Sequence, residues 1–298
     1  MSTVDAFEKD VYLQLDYLEK FQPQKKLAKN AIFCGSGDSL CAAMLAESFS
    51  DYCFVACDPL EFAKNKRIGD KKHAYFVSIS GNTISNIKAA KLAQFRTAIT
   101  KNTNSRLAKI CNDVIRLDYS DSGVLTAGSI GFLSSALICI SLVYPFKIKN
   151  AKKLFQTAES QSKKIKLSGM IYFLGNQHTY PIAMYASAKL GEILGIDSHY
   201  ERMEQFSHMG LFSAKKGDTI IILEQKNKHN SALYANLKKL GLQVYNPTAQ
   251  FKNKIDSILF YTFVSQFLAL NLAKQKRIKD CHFITQKKTR AASSDMIY

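Results

Sequence analysis

Acidic residues are scarce in this 298-residue chain: 24 Asp and Glu stand against 41 Lys and Arg, a formal net charge of +17. No glycine-rich loop ends in Gly-Lys-Ser/Thr, which excludes the phosphate loop of nucleotide hydrolases. Paired cysteines at zinc-ligand spacing are also missing. Cys53 and Cys57 are separated by three residues and no second pair accompanies them, so no metal site is expected. The seven cysteines form an odd set, five of them within apolar segments, and read as reduced, buried thiols. The apolar runs 130–146 and 258–273 carry Ser, Asn or Gln and are marginal in length for a membrane span, so both read as core helices. The polar, acidic start MSTVDAFEKD is neither a signal nor a transit peptide, and a cytoplasmic protein without membrane association is expected.

The basic excess raises the question of a nucleic-acid partner. The lysine pairs are scattered, at 25–26, 71–72, 152–153, 163–164, 215–216, 238–239 and 287–288, mostly at loops and helix ends. No basic helix or aromatic nucleic-acid signature accompanies them, so the charge reads as a solvated surface and no nucleic-acid partner is expected. A field of that sign still draws anionic metabolites inward.

With 47% hydrophobic residues the chain has a sizeable core to bury. In the first half, apolar strand-like runs at 31–34, 53–57, 74–78, 97–100 and 114–117 alternate with helical periodicity, ending in a long apolar helix at 129–144. The lysine-rich segment 147–166 reads as a linking helix. The alternation then restarts with strands at 170–174, 218–223 and 243–245 and helices at 181–194 and 231–240. The expected fold is α/β: two tandem doubly wound, flavodoxin-like domains with parallel sheets, at 1–146 and 167–298.

Ligands of such sheets bind beyond the carboxyl ends of the strands. Two loops lie there in the first half. One is Gly35-Ser36-Gly37-Asp38-Ser39; the other is Ser78-Ile79-Ser80-Gly81-Asn82-Thr83. Each hydroxyl alone is an ordinary helix cap. Together, if the two strands are neighbours, Ser36, Ser39, Ser78, Ser80 and Thr83 line one crevice with Gly35, Gly37, Gly81 and Asn82. Many neutral donors beside helix amides suit a sugar phosphate. In the second half, Lys189 and Glu192 fall three apart on a helix that is apolar and small-residue-rich on both sides. A solvated ion pair is the ordinary outcome of that spacing. An acid in a packed helix also fits proton transfer, and His208 lies sixteen residues on.

These motifs resemble the sugar isomerase (SIS) domain family in tandem arrangement, over residues 25 to 298. The similarity is to the isomerase half of glucosamine-6-phosphate synthase and to archaeal phosphoglucose/phosphomannose isomerases. Cys34-Gly35-Ser36-Gly37 resembles the family's Cys-Gly-Thr-Ser loop, and Ser78 to Thr83 its Ser-x-Ser-Gly-x-Thr phosphate motif. Leu174-Gly175-Asn176-Gln177 followed by Tyr180-Pro181-Ile182-Ala183 is similar to its second-domain opening. Ala188-Lys189-Leu190-Gly191-Glu192 is similar to the helix that carries the catalytic glutamate. The resemblance implies that Glu192 shuttles a proton between C1 and C2 of an open-chain hexose phosphate through an enediol, without metal or organic cofactor. It implies that His208, from the neighbouring subunit of a homodimer with a shared active site, assists ring opening, and that Lys189 orients Glu192 or the substrate. The family's C-terminal lysine falls at Lys287 or Lys288. The segment Val124-Leu125-Thr126-Ala127-Gly128-Ser129 lacks the synthase's lysine and no glutaminase domain is evident, so glutamine-dependent synthesis is not expected. An aldose–ketose isomerase is the first expectation and an amino-sugar-phosphate deaminase or deglycase the second. A non-catalytic sugar-phosphate sensor is the alternative of another class.

Overall fold

The computed structural model describes residues 1–297, the side chain of Lys66 excepted. In chain order the first elements are α1 (Thr3–Lys20), β1 (Ala31–Cys34), α2 (Asp38–Phe49), β2 (Val55–Cys57) and α3 (Pro59–Lys64). They are followed by β3 (His73–Val77), α4 (Ile84–Ala90), β4 (Phe95–Thr100), α5 (Arg106–Ile110), β5 (Asp113–Arg116) and α6 (Ile130–Ser141). Then come α7 (Ala151–Ser162), β6 (Ile171–Leu174), α8 (Tyr180–Leu194), β7 (His199–Glu201) and α9 (Met203–His208). The chain closes with β8 (Thr219–Ile222), α10 (Lys228–Lys239), β9 (Gln243–Tyr245), α11 (Lys254–Gln275), α12 (His282–Thr285) and α13 (Lys287–Ile297).

Two parallel sheets result, five-stranded in the order β2-β1-β3-β4-β5 and four-stranded in the order β7-β6-β8-β9. The central strands β1, β6 and β8 are buried along their whole length, as near-continuous apolar runs must be when helices cover both faces. Right-handed crossovers leaving β1 and β3 in opposite directions put α2 and α4 on opposite faces of the first sheet. Ile32, Cys34, Ala74, Phe76 and Ala98 accordingly pack with Phe62 of α3, Ala89 of α4 and Leu107 of α5. On the other face Phe33 stacks on Tyr75 at 5.0 Å, and α2 packs against α6. All twelve residues of α6 are buried, as a helix apolar on every side requires.

The compact units interleave along the chain. The first sheet lies in a unit of Asp16–Asp121, Gly128–Lys147 and Gln286–Tyr298, the second in one of Met1–Leu15, Ser122–Ala127 and Ile148–Thr285. The opening residues, expected with the first half, thus pack in the unit of the second sheet. The reason is aromatic: Tyr12 meets Phe155 at 5.4 Å and Phe267 at 6.1 Å. The segment expected as a linker contains α7, whose Leu154, Phe155 and Ala158 are buried in the same unit against α11. The segment α11 is the one helix among the described residues long and apolar enough to cross a membrane, and 89% of its apolar stretch is buried.

Strand β2 begins only at Val55. Asp51 and Tyr52 turn there through positive φ angles, which leaves Cys53 exposed and outside the strand. Cys111 is half-buried, and the remaining five thiols are buried; none of the seven is in a disulfide.

Candidate functional site

Strands β1 and β3 are neighbours, with Cys34 paired to Phe76, and the strand order reverses between them. The loops after them therefore flank the switch point of the first sheet. At the end of β1, Gly35 is obligatory, because a Cβ there would lie 2.7 Å from the backbone carbonyl of Ser39. Gly37 starts α2 with φ 57° and ψ −128°, and no side chain caps the helix. Ser36 is exposed and Ser39 half-buried, and neither hydroxyl is engaged by a described residue. Asp38, half-buried in the first turn of α2, brings a negative charge close by.

The second loop is braced by its own hydroxyls. Ser78 Oγ accepts from Gly81 N at 3.1 Å and lies 3.3 Å from Thr83 Oγ1, and Ser80 Oγ accepts from Asn82 N at 3.3 Å. An oxygen that accepts from the backbone leaves its proton to donate elsewhere. Thr83, at the cap position, makes no side-chain cap bond to α4. With seven residues, α4 has only a small dipole, so the hydroxyls carry most of what this loop offers an anion.

Residues beyond these motifs support the same loop. The Arg106 side chain donates through Nη2 to the Asn82 carbonyl at 2.6 Å, and the backbone N–H of Lys101 donates to the Ile79 carbonyl at 3.2 Å. Ser129, before α6, is buried and its hydroxyl has no partner among the described residues. Gly131 beside it sits so close to Ile79 that a Cβ would lie 2.7 Å from Cδ1. Arg106 is 24 residues from Asn82, and no local spacing signals it.

Gly81 holds the loop in shape. Its φ is +63°, and a Cβ would lie 2.1 Å from Ser105 Oγ, while its carbonyl accepts from Leu107 N at 2.9 Å. Gly81→Ala is expected to cost about 2–4 kcal/mol from the left-handed backbone and the overlap. Urea denaturation measures it; a loss within experimental error would show that Ser105 moves aside freely.

In the other unit, α8 carries Pro181 in its first turn and is closed by Gly195, whose φ of 67° supplies the left-handed cap. Lys189 is 0% exposed, so the pair with Glu192 is not a solvated one. Its Nζ donates to Glu192 Oε2 at 2.5 Å and lies 4.9 Å from the centre of the Tyr185 ring. Tyr185 is in turn held by Gln266, which donates to its hydroxyl at 3.0 Å. The Glu192 side chain is 37% exposed, so its carboxylate meets a buried cation on one side and solvent on the other. The structure does not bring His208 to Glu192 by a hydrogen bond. His208 closes α9 and is exposed, its Nε2 3.0 Å from Glu204 Oε1, one helical turn back. Met209 and Phe212 beside it are exposed too. Lys287 and Lys288 lie on α13, which buries no residue, and neither makes an ion pair with a described residue. No cluster of three or more potential metal ligands occurs among the described residues.

The loop after β6 holds a histidine that sequence spacing does not single out. Burial, with Lys254 nearby, pushes His178 down to about 4 from an ordinary value of 6.5. Its native form is therefore neutral, while the unfolded chain takes up a proton below pH 6.5. This group's contribution is intact above that pH and is lost as pH falls toward 4. At 1.36 kcal/mol per pH unit the loss is about 2–3 kcal/mol. Urea melts at pH 7 and pH 4.5 should show His178→Gln losing less stability than the parent by most of that amount; identical losses would refute the assignment.

No family model matches the sequence and no curated protein sequence matches it. Solved structures do. Glucosamine-6-phosphate deaminase from Thermotoga maritima superposes with a TM-score of 0.72 at 19% identity, over 93% of this chain and 95% of that one. Tagatose-6-phosphate ketose/aldose isomerase from Escherichia coli gives 0.69 at 13% identity, over 92% and 90%. The C-terminal domain of glucosamine-fructose-6-phosphate aminotransferase from Francisella tularensis gives 0.61 at 14%, over 91% and 93%. The chain has the α/β fold that these sugar-phosphate enzymes share.

Proposed function

We propose that this protein binds a hexose 6-phosphate and interconverts its aldose and ketose forms through an enediol. The observation that carries the reading is the pair of hydroxyl-bearing loops at the switch point of the first sheet, with Ser80 and one of the hydrogen-bonded pair Ser78 and Thr83 keeping a proton available to a phosphate. Ser36 and Ser39 add donors from the neighbouring strand end. Glu192 takes the proton from C2 of the open-chain aldose and returns it to C1. A single carboxylate serves both carbons when it lies over one face of the enediol, and the hydroxyl proton passes from O2 to O1 in the same interconversion. Lys189, buried beneath it, fixes its orientation.

Ring opening is assigned to His208, whose exposure together with Met209 and Phe212 supports delivery to a second copy in a homodimer. Lys288, on an exposed helix, is the candidate C-terminal lysine.

Deamination of an amino-sugar phosphate is the second reading, and the superposition on a glucosamine-6-phosphate deaminase favours keeping it. Purified protein given fructose 6-phosphate, with and without ammonia, and glucosamine 6-phosphate separates the two. Ammonia-independent formation of an aldose 6-phosphate supports the isomerase. Ammonia release from the amino sugar supports the deaminase, and binding without turnover of either leaves a sensor.

A further inference from the structure

The second sheet has its own switch point, between β6 and β8, and a cavity of about 410 Å³ opens there. Its walls come from the loop after β6, the loop after β8 and the start of α11. Tyr261 of α11 lines it. This side chain is 0% exposed, and its hydroxyl has no hydrogen-bond partner among the described residues. A buried hydroxyl normally finds a partner, so an unpartnered one on a residue of the cavity wall marks a place where a ligand completes the bonding. Lys226, Lys252 and Lys254 also line the cavity, against one carboxylate, Glu224. That carboxylate is partly absorbed: its Oε2 accepts from Asn227 Nδ2 at 3.3 Å and from Asn230 Nδ2 at 3.2 Å. The side-chain amide nitrogens of Asn176 and Asn253, whose oxygens accept from Met203 N and Asp256 N, donate to no described residue. The surplus of two positive charges, the neutral donors and the volume together suit a small dianion with a few hydroxyls.

We propose that this crevice is a second binding site, separate from the one assigned above, for a small phosphomonoester. The dianionic phosphate sits among the three lysines, and an ester or hydroxyl oxygen of the ligand accepts from Tyr261.

The test uses the full chain carrying Ser80→Ala and Thr83→Ala, so that binding at the first crevice is weakened. Titration calorimetry with glycerol 3-phosphate, inorganic phosphate and succinate reads the remaining site. One saturable site for glycerol 3-phosphate is expected, tighter than for either other anion. Adding Tyr261→Phe should raise its Kd about fivefold, the effect of one lost hydrogen bond, without lowering Tm. Adding Lys226→Gln and Lys252→Gln should raise it about tenfold or more. Absence of saturable binding overturns the proposal, as does succinate binding equally well. Weakening by the lysine changes with none from Tyr261→Phe would reveal attraction by surface charge alone and would overturn it too.

Discussion

Glu192→Gln is expected to lower kcat by about 10²–10⁴-fold, the range contributed by a positioned general base, and to leave Kd for a hexose 6-phosphate within about threefold. The substitution keeps the shape of the side chain and removes only the capacity to take a proton. Its structural cost falls on Lys189. That ammonium is 0% exposed and donates to Glu192 at 2.5 Å; after the change it keeps an amide oxygen as acceptor but loses the opposing charge. Because the glutamate is 37% exposed, solvent tempers the loss, and about 1–3 kcal/mol of stability is expected to go. Binding, turnover and thermal melting on one preparation separate the effects. A kcat near that of the parent would remove Glu192 from the chemistry. Collapse of binding together with turnover would recast it as a structural residue. Glu192→Asp sharpens the distinction: it restores the charge beside Lys189 but draws the carboxylate back by one methylene, so stability should recover further than rate.

Much of this was legible because it is local. The runs AIFC, IYFL and TIII declare buried parallel strands by composition alone, and the phosphate-type loop needs only the six residues from Ser78 to Thr83. The edge strand β7 escaped because His199-Tyr200-Glu201 is three residues long, polar and largely exposed; its strand geometry comes from pairing with β6 rather than from its own pattern. The role of α1 escaped for a different reason. Its buried face is completed by residues such as Gln266, 252 positions from its partner Gln14, and no window along the chain contains both. The same holds for the burial of Lys189. A spacing of three predicts that it meets Glu192, but whether water surrounds the pair is decided by Tyr185, held by Gln266 of α11. The exposure of His208 beside Glu204 was not legible either, since a spacing of sixteen residues from Glu192 says nothing about which way the end of α9 turns its imidazole. The second crevice was invisible for want of a motif, since it exists only where Tyr261 meets two loops from earlier in the chain.

Ser80→Ala combined with Thr83→Ala is expected to raise KM for a hexose 6-phosphate about 10²-fold or more, while affinity for the unphosphorylated sugar changes by less than about threefold. A hydrogen bond to a charged group contributes about 1.5–3 kcal/mol, and a factor of ten is 1.4 kcal/mol. Two such bonds on one phosphate share a partner and are not strictly additive, which sets the lower bound rather than the product of the two. The discrimination depends on the loop keeping its shape without these hydroxyls, and its bracing supports that. Gly81 O still accepts from Leu107 N at 2.9 Å, Arg106 still holds the Asn82 carbonyl at 2.6 Å, and Ser78 Oγ still accepts from Gly81 N. What disappears is the outward donor set and two weak braces, the 3.3 Å bond from Asn82 N to Ser80 Oγ and the 3.3 Å bond between Ser78 Oγ and Thr83 Oγ1. Thr83→Ser, which keeps the hydroxyl, should restore most of the affinity for the phosphorylated ligand. If both sugars weaken equally, the loop is a structural turn rather than a phosphate anchor. If neither weakens, the phosphate is held elsewhere, and the hydroxyls of this loop serve only to shape the chain between β3 and α4.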